Sequence, residues 1–104
     1  MNINNVEFPF DPTDYVNIKK VTDGQKIMNL GIQEILRTTY TEGWEIQRDI
    51  VLAVKDFFVF VTGVDVVRDI TSYAAVLEFV DELTAQCLRA RKQLNDKYSK
   101  GRIK

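Results

Sequence analysis

The chain has 104 residues, 45% of them hydrophobic and 28% charged, with a formal net charge of −1 and no histidine. That length supports one domain with a modest core. The missing histidine excludes the commonest general base, the commonest metal ligand and every Ser-His or Cys-His nucleophile.

Nothing reads as a targeting or membrane segment. The start, MNINNVEFPFDP, has neither the charged nor the apolar region of a signal peptide. No apolar run reaches the roughly eighteen residues of a membrane span. Cys87 is the only cysteine and cannot form an internal disulfide. A reducing, cytoplasmic location is therefore the expectation.

Residues 1–11 read as an extended N-terminal arm. Pro9 and Pro12 push their preceding residues away from helix. The arm carries Val6, Phe8 and Phe10, which must either fold back on the body or dock on a neighbouring chain. Phe8 and Phe10 are accordingly candidate contact residues.

Residues 12–98 read as a helical domain. Asp11 is a candidate cap, with Pro12 at the first helical position and Asp14 in reach of a capping box. Thr22-Asp23-Gly24 should interrupt this helix and leave it short. A second helix then carries Ile27, Gly31 and Ile35 on one face, with Met28, Ile32 and Leu36 beside them, and ends near Tyr40.

The stretch WEIQRDIVLAVKDFFVFVTG is ambiguous, because β-branched and aromatic residues favour strands. Its polar residues recur at helical spacing: Glu45, Arg48, Asp49, Lys55, Asp56 and Thr62. Lys55-Asp56 is a poor hairpin turn, since it lacks a glycine, whereas Gly63 suits the position just past a helix end. A central helix over 44–62 is the expectation. The alternative is an α+β fold with Ile50–Val54 and Phe57–Val61 as a central hairpin. VDVVRDI, which follows, reads as extended or as one helical turn.

Thr71-Ser72 opens the clearest element. Val76, Val80, Leu83, Cys87, Ala90, Leu94 and Tyr98 recur at steps of three and four, a heptad-like seam. A helix from Ser72 to Tyr98 is about 40 Å long at 1.5 Å per residue. A compact domain of this size has a radius of gyration of only about 13 Å. The last two turns should therefore project. The fold class expected is all-α: three long helices, a short first one, an extended arm and a projecting C-terminal helix.

The sequence offers little chemistry. Cys87 sits in the seam and reads as a small buried apolar residue. Glu78, Asp81 and Glu82 read as a solvated acidic face near a helix N-terminus, and Asp65 and Asp69 have still less claim to a metal. The five glycines match no phosphate-binding loop. No catalytic, metal-binding or cofactor-binding residue is assigned, and the chain is not expected to be an enzyme.

Charge is the one strong asymmetry. Residues 1–88 hold seven basic and fourteen acidic residues, a net of −7; residues 89–104 hold seven basic residues and one acid, a net of +6. Residues 99–104 read as a basic tail. Arg89, Arg91, Lys92, Lys97, Lys100, Arg102 and Lys104 are candidate contact residues, joined on the seam by Leu94 and Tyr98. Such an end either complements the helix dipole or meets an acidic protein surface on a partner or on the next copy of the chain. Nucleic acid is the alternative partner, disfavoured by the acidic body and by Tyr98 being the only aromatic near the end. The function expected is non-enzymatic protein–protein interaction with self-association. In size and plainness the chain is of the kind found among phage and mobile-element products, as an assembly component or an inhibitor of a host protein. An accessory nucleic-acid-binding protein is the alternative.

Overall fold

The computed structural model describes the backbone of residues 1–102 and the side chains of residues 1–98. The element order is β1 (Asn2–Ile3), β2 (Val6–Glu7), α1 (Tyr15–Arg37), α2 (Gly43–Thr62) and α3 (Tyr73–Arg102). The fold is all-α apart from this two-residue-per-strand hairpin, and the α+β alternative does not apply.

Residues 1–7 form an antiparallel hairpin rather than an extended arm. Ile3 pairs with Val6 and Asn2 with Glu7. The two-residue connection, Asn4-Asn5, has φ of 49° and 68°. Positive φ at both positions gives the twist that a tight hairpin needs, and asparagine tolerates it. The hairpin lies on α3, where the Gln86 side-chain amide donates to the Asn2 carbonyl at 3.0 Å. Ile3, Phe8 and Phe10 are buried in the chain's own core. Phe8 and Phe10 are therefore packed within the fold and not presented to a partner.

Helix α1 starts three residues later than the sequence suggests and is not interrupted. Asp14, not Asp11, is the N-cap: its Oδ1 accepts the Val16 N–H at 2.8 Å. Asp11 instead accepts from the Thr13 N–H at 2.9 Å and so organises the turn that precedes the helix. The chain then runs helically straight through Thr22-Asp23-Gly24 to Arg37. The expected short first helix and the second are one. A glycine inside a helix costs about 1 kcal/mol relative to alanine, which tertiary packing offsets here. Val21, Gly24 and Met28 form the buried stripe, and the absent Gly24 side chain lets α2 approach.

Helix α2 occupies the middle of the bundle, as its mostly apolar surface demands. Val51, Val54, Phe57, Phe58 and Val61 are buried, at the 3.6-residue period of a core face. Its start is held by Glu45, whose carboxylate accepts the Glu42 N–H at 3.1 Å. The Tyr40 hydroxyl donates to Asp49 at 2.7 Å and ties the α1–α2 loop down. Gly63 ends the helix with φ 76° and donates its N–H to the Val59 carbonyl at 2.8 Å, the left-handed cap that glycine adopts without strain.

VDVVRDI folds as a single turn, buries Val66 and Val67, and is anchored by Lys55, whose Nζ donates to the Arg68 carbonyl at 2.6 Å. Ser72 then starts α3, its hydroxyl accepting the Ala75 N–H at 3.3 Å. Val76, Phe79, Val80 and Leu83 enter the core. At its centre Phe58 meets Phe8, Phe57 and Phe79 edge-to-face, with ring centroids 5.3–6.4 Å apart. No polar or charged residue is buried among the described residues. The molecule is elongated, 64 × 28 × 20 Å with a radius of gyration of 16.2 Å, and α3, at about 45 Å, is its longest element.

Candidate interaction surfaces

Helix α3 changes character at Cys87. The seam residues Val76, Val80 and Leu83 are buried, Cys87 and Ala90 are half-buried, Leu94 is 38% exposed and Tyr98 60%. The sequence pattern that packs the first half of the helix thus continues for three turns with progressively less packed against it. Leu88, beside the seam, is exposed as well.

A cleft of about 350 Å³ lies between the N-terminal half of α1 and this part of α3. Ile18 and Tyr15 line one wall; Cys87, Leu88, Leu94 and Arg91 line the other. Its base is closed by the Gln25 amide donating to the Thr84 hydroxyl at 2.8 Å. Tyr15 is 81% exposed. Sequence reasoning missed both Leu88 and Tyr15. Leu88 sits one residue off the seam, and Tyr15 was read as part of a short N-terminal helix with no assigned face. Burial raises the Cys87 thiol above its ordinary 9.0, so the reactive thiolate is disfavoured and the residue acts as a small apolar group.

The basic candidates separate under this geometry. Arg89 is engaged within its own helix: its Nη2 donates to Glu82 Oε1 at 2.9 Å. That contact, and then the Gln86 amide, hold the Glu82 carboxyl below its ordinary 4.5. Arg91 borders the cleft, and Lys92 is exposed. The Lys97 ammonium lies 5.8 Å from the centre of the Tyr98 ring. Helix α3 runs on to Arg102. The side chains of Lys100 and Arg102, and the whole of Lys104, lie outside the described residues.

A second apolar groove, of about 360 Å³, runs between α1 and α2 on the side of α1 away from the cleft. Gly24, Ile27 and Gly31 line it from α1, and Ala53, Asp56 and Phe60 from α2. Ile27 and Phe60 are exposed despite being large and apolar. The sequence pattern placed Ile27 and Gly31 on one helical face but gave no sign that the face is only half covered.

The acidic residues of α3 make no ligand set. Glu78, Asp81 and Glu82 border a shallow surface depression beside Asn4. Among the described residues no group of three or more acidic or cysteine side chains is placed to hold a metal ion. Nor is any helix among them long and apolar enough to cross a membrane. What the molecule presents is surface: an unpartnered apolar seam on a basic helix end, and an apolar groove elsewhere. No protein-family model matches the sequence, and no curated protein and no solved structure is similar to it.

Proposed function

We propose that the chain is a non-enzymatic interaction protein that self-associates through the C-terminal half of α3. The reading rests on one observation: the seam that buries Val76, Val80 and Leu83 continues to Leu94 and Tyr98, which are exposed on the same helix. Such an apolar stripe on a cationic helix suits a protein surface that offers both apolar contact and negative charge. The body of the chain, with its net of −7 over residues 1–88, is such a surface. A reducing cytoplasm is the setting we propose, and an assembly component or an inhibitor of a host protein the role.

The experiment is the solution mass of the full chain and of Leu94→Glu, by light scattering over a range of concentrations. An assembled wild type and a variant of lower mass with intact helix content support the reading. Equal masses, or a wild type that is monomeric throughout, exclude it. Copurifying nucleic acid lost on truncation after Leu94 would favour nucleic acid as the partner instead.

A further inference from the structure

We infer that the groove between α1 and α2 receives the basic end of α3 from a second copy of the chain, in a head-to-tail contact. This rests on the self-association proposed above and names the surface that the projecting helix meets.

The groove is shaped to take a helix. Gly31 leaves the α1 wall low, since a Cβ built on it would meet nothing within 4 Å. Ala53 keeps the α2 wall low as well. Small residues at such positions let a third helix come close. Between them Ile27 and Phe60 offer exposed apolar surface. Gly24 to Gly31 spans two turns of α1, about 10 Å at 1.5 Å per residue. Leu94 and Tyr98, one turn apart, provide the matching apolar side chains on α3.

One unpaired charge of the complementary sign borders the groove. Asp56 borders it, is exposed, and has no ion-pair partner among the described residues. Asp23 and Glu34 lie one turn from Ile27 and Gly31 on α1, and Asp49 one turn from Ala53 on α2; Lys20 lies one turn before Gly24. Asp23 is partly neutralised by Lys19 at 2.6 Å, Asp49 by Arg48 at 3.0 Å and Glu34 by Arg37 at 4.0 Å. Asp56 is therefore the principal free charge, and the cationic end brings Arg91, Lys92 and Lys97 beside Leu94 and Tyr98.

Two other arrangements fit less well. The chain's own α3 cannot fill the groove, because α3 lies on the other side of α1, where Gln25 meets Thr84, and a continuous helix does not fold back. A symmetric antiparallel pairing of the exposed stretch 88–98 with itself would set Arg89, Arg91 and Lys92 against the partner's Lys97, with Asp96 the only acid on each side. Like charges so placed disfavour a contact. A head-to-tail contact uses two different patches, so it propagates into a ring or a filament.

The test uses the full-length chain and two variants. Gly31→Arg fills the groove and places a cation where the cationic helix would lie, at a position with open space, so its melting temperature should not fall. Leu94→Glu disables the other patch. Each variant alone should show the mass of a monomer by light scattering. An equimolar mixture should recover a dimer and nothing larger, because each pair retains one intact groove and one intact helix end. A Gly31→Arg chain that assembles like the wild type overturns the groove assignment, while loss of assembly in Leu94→Glu alone still leaves the role of α3 standing. A mixture that stays monomeric points to a symmetric interface and overturns the head-to-tail arrangement.

Discussion

A Cβ on Gly24 would lie 3.1 Å from Cδ1 of Phe57, so helices α1 and α2 pack as closely as their backbones and one aromatic ring allow. The same ideal Cβ would lie 3.1 Å from Phe60. Phe60 is half exposed and can swing aside, but Phe57 is buried and set edge-to-face against Phe58. Gly24→Ala should gain about 1 kcal/mol in helix propensity and lose about 1–3 kcal/mol to overpacking, a net destabilisation of about 1 kcal/mol. Gly31→Ala, with open space around the new methyl, should keep the whole propensity gain. Thermal melts of the two variants should move in opposite directions, by about 4–8 °C per kcal/mol for a domain of this size. Equal shifts of the same sign would show that Gly24 is not a close-packed crossing.

The N-terminal hairpin should behave as core and not as an appendage. Phe8 is 3% exposed, and its ring sits 6.4 Å from Phe58, which is wholly buried. Truncating a buried phenylalanine to alanine costs about 3–5 kcal/mol, a large fraction of the ~5–15 kcal/mol that holds a small domain together. Phe8→Ala should therefore lower the denaturant midpoint severely while leaving the residual helical spectrum recognisable. A variant that melts like the wild type would show the hairpin to be loosely attached.

The three-helix architecture was largely legible, and the places where the sequence misled have physical causes. The 44–62 stretch resolved as helix on the spacing of its polar residues and on Gly63, although its residue types favour strands. Ser72 and the α3 seam were equally plain, because capping and period agree there. Thr22-Asp23-Gly24 reads locally as a stop, but the advantage of bringing Phe57 against a bare backbone is visible only once α2 is in place. Asn4-Asn5 between Ile3 and Val6 carried a hairpin signal that the prolines downstream obscured. The candidate surfaces were legible by half. Leu94 and Tyr98 followed from the period of one helix. The cleft with Tyr15 and the groove with Phe60 arise from two helices each, and a pattern read along one helix does not report what a neighbour leaves uncovered.

Stability should fall on acidification partly through Asp49. The Tyr40 hydroxyl first, and Arg48 second, hold its carboxyl below the ordinary 3.8. A carboxyl depressed in the folded state contributes stability that is present above its unfolded pKa and is lost as pH falls through the folded value. Tyr40→Phe removes the larger cause. The variant should melt below the wild type near neutral pH, and the two curves should converge in acid, once pH has fallen through the lowered folded-state value and the carboxyl is protonated in both states. A difference that persists unchanged in acid would place the role of Tyr40 in packing rather than in its bond to Asp49.

Salt distinguishes the partner of the α3 end. Binding to duplex nucleic acid releases condensed counterions, so its affinity falls with a log–log slope of about −0.9 per phosphate neutralised. Arg91, Lys92 and Lys97, with Lys100, Arg102 and Lys104 beyond them in the sequence, would give a slope of several. A contact that combines Leu94 and Tyr98 with a few charges at a protein surface should respond far less, since screening leaves its apolar part untouched. The expected outcome is a modest loss of assembly when salt is raised from about 0.05 M to about 0.5 M, set by the charged rim alone. Truncation after Leu94 should abolish assembly at both salt concentrations, because it removes Tyr98 as well as the cations beyond it. Lys97→Glu, which keeps Tyr98, should weaken assembly at low salt and approach wild type at high salt. An assembly indifferent to Lys97→Glu at low salt would mean that the seam alone makes the contact and that the basic end of α3 only complements its own helix dipole.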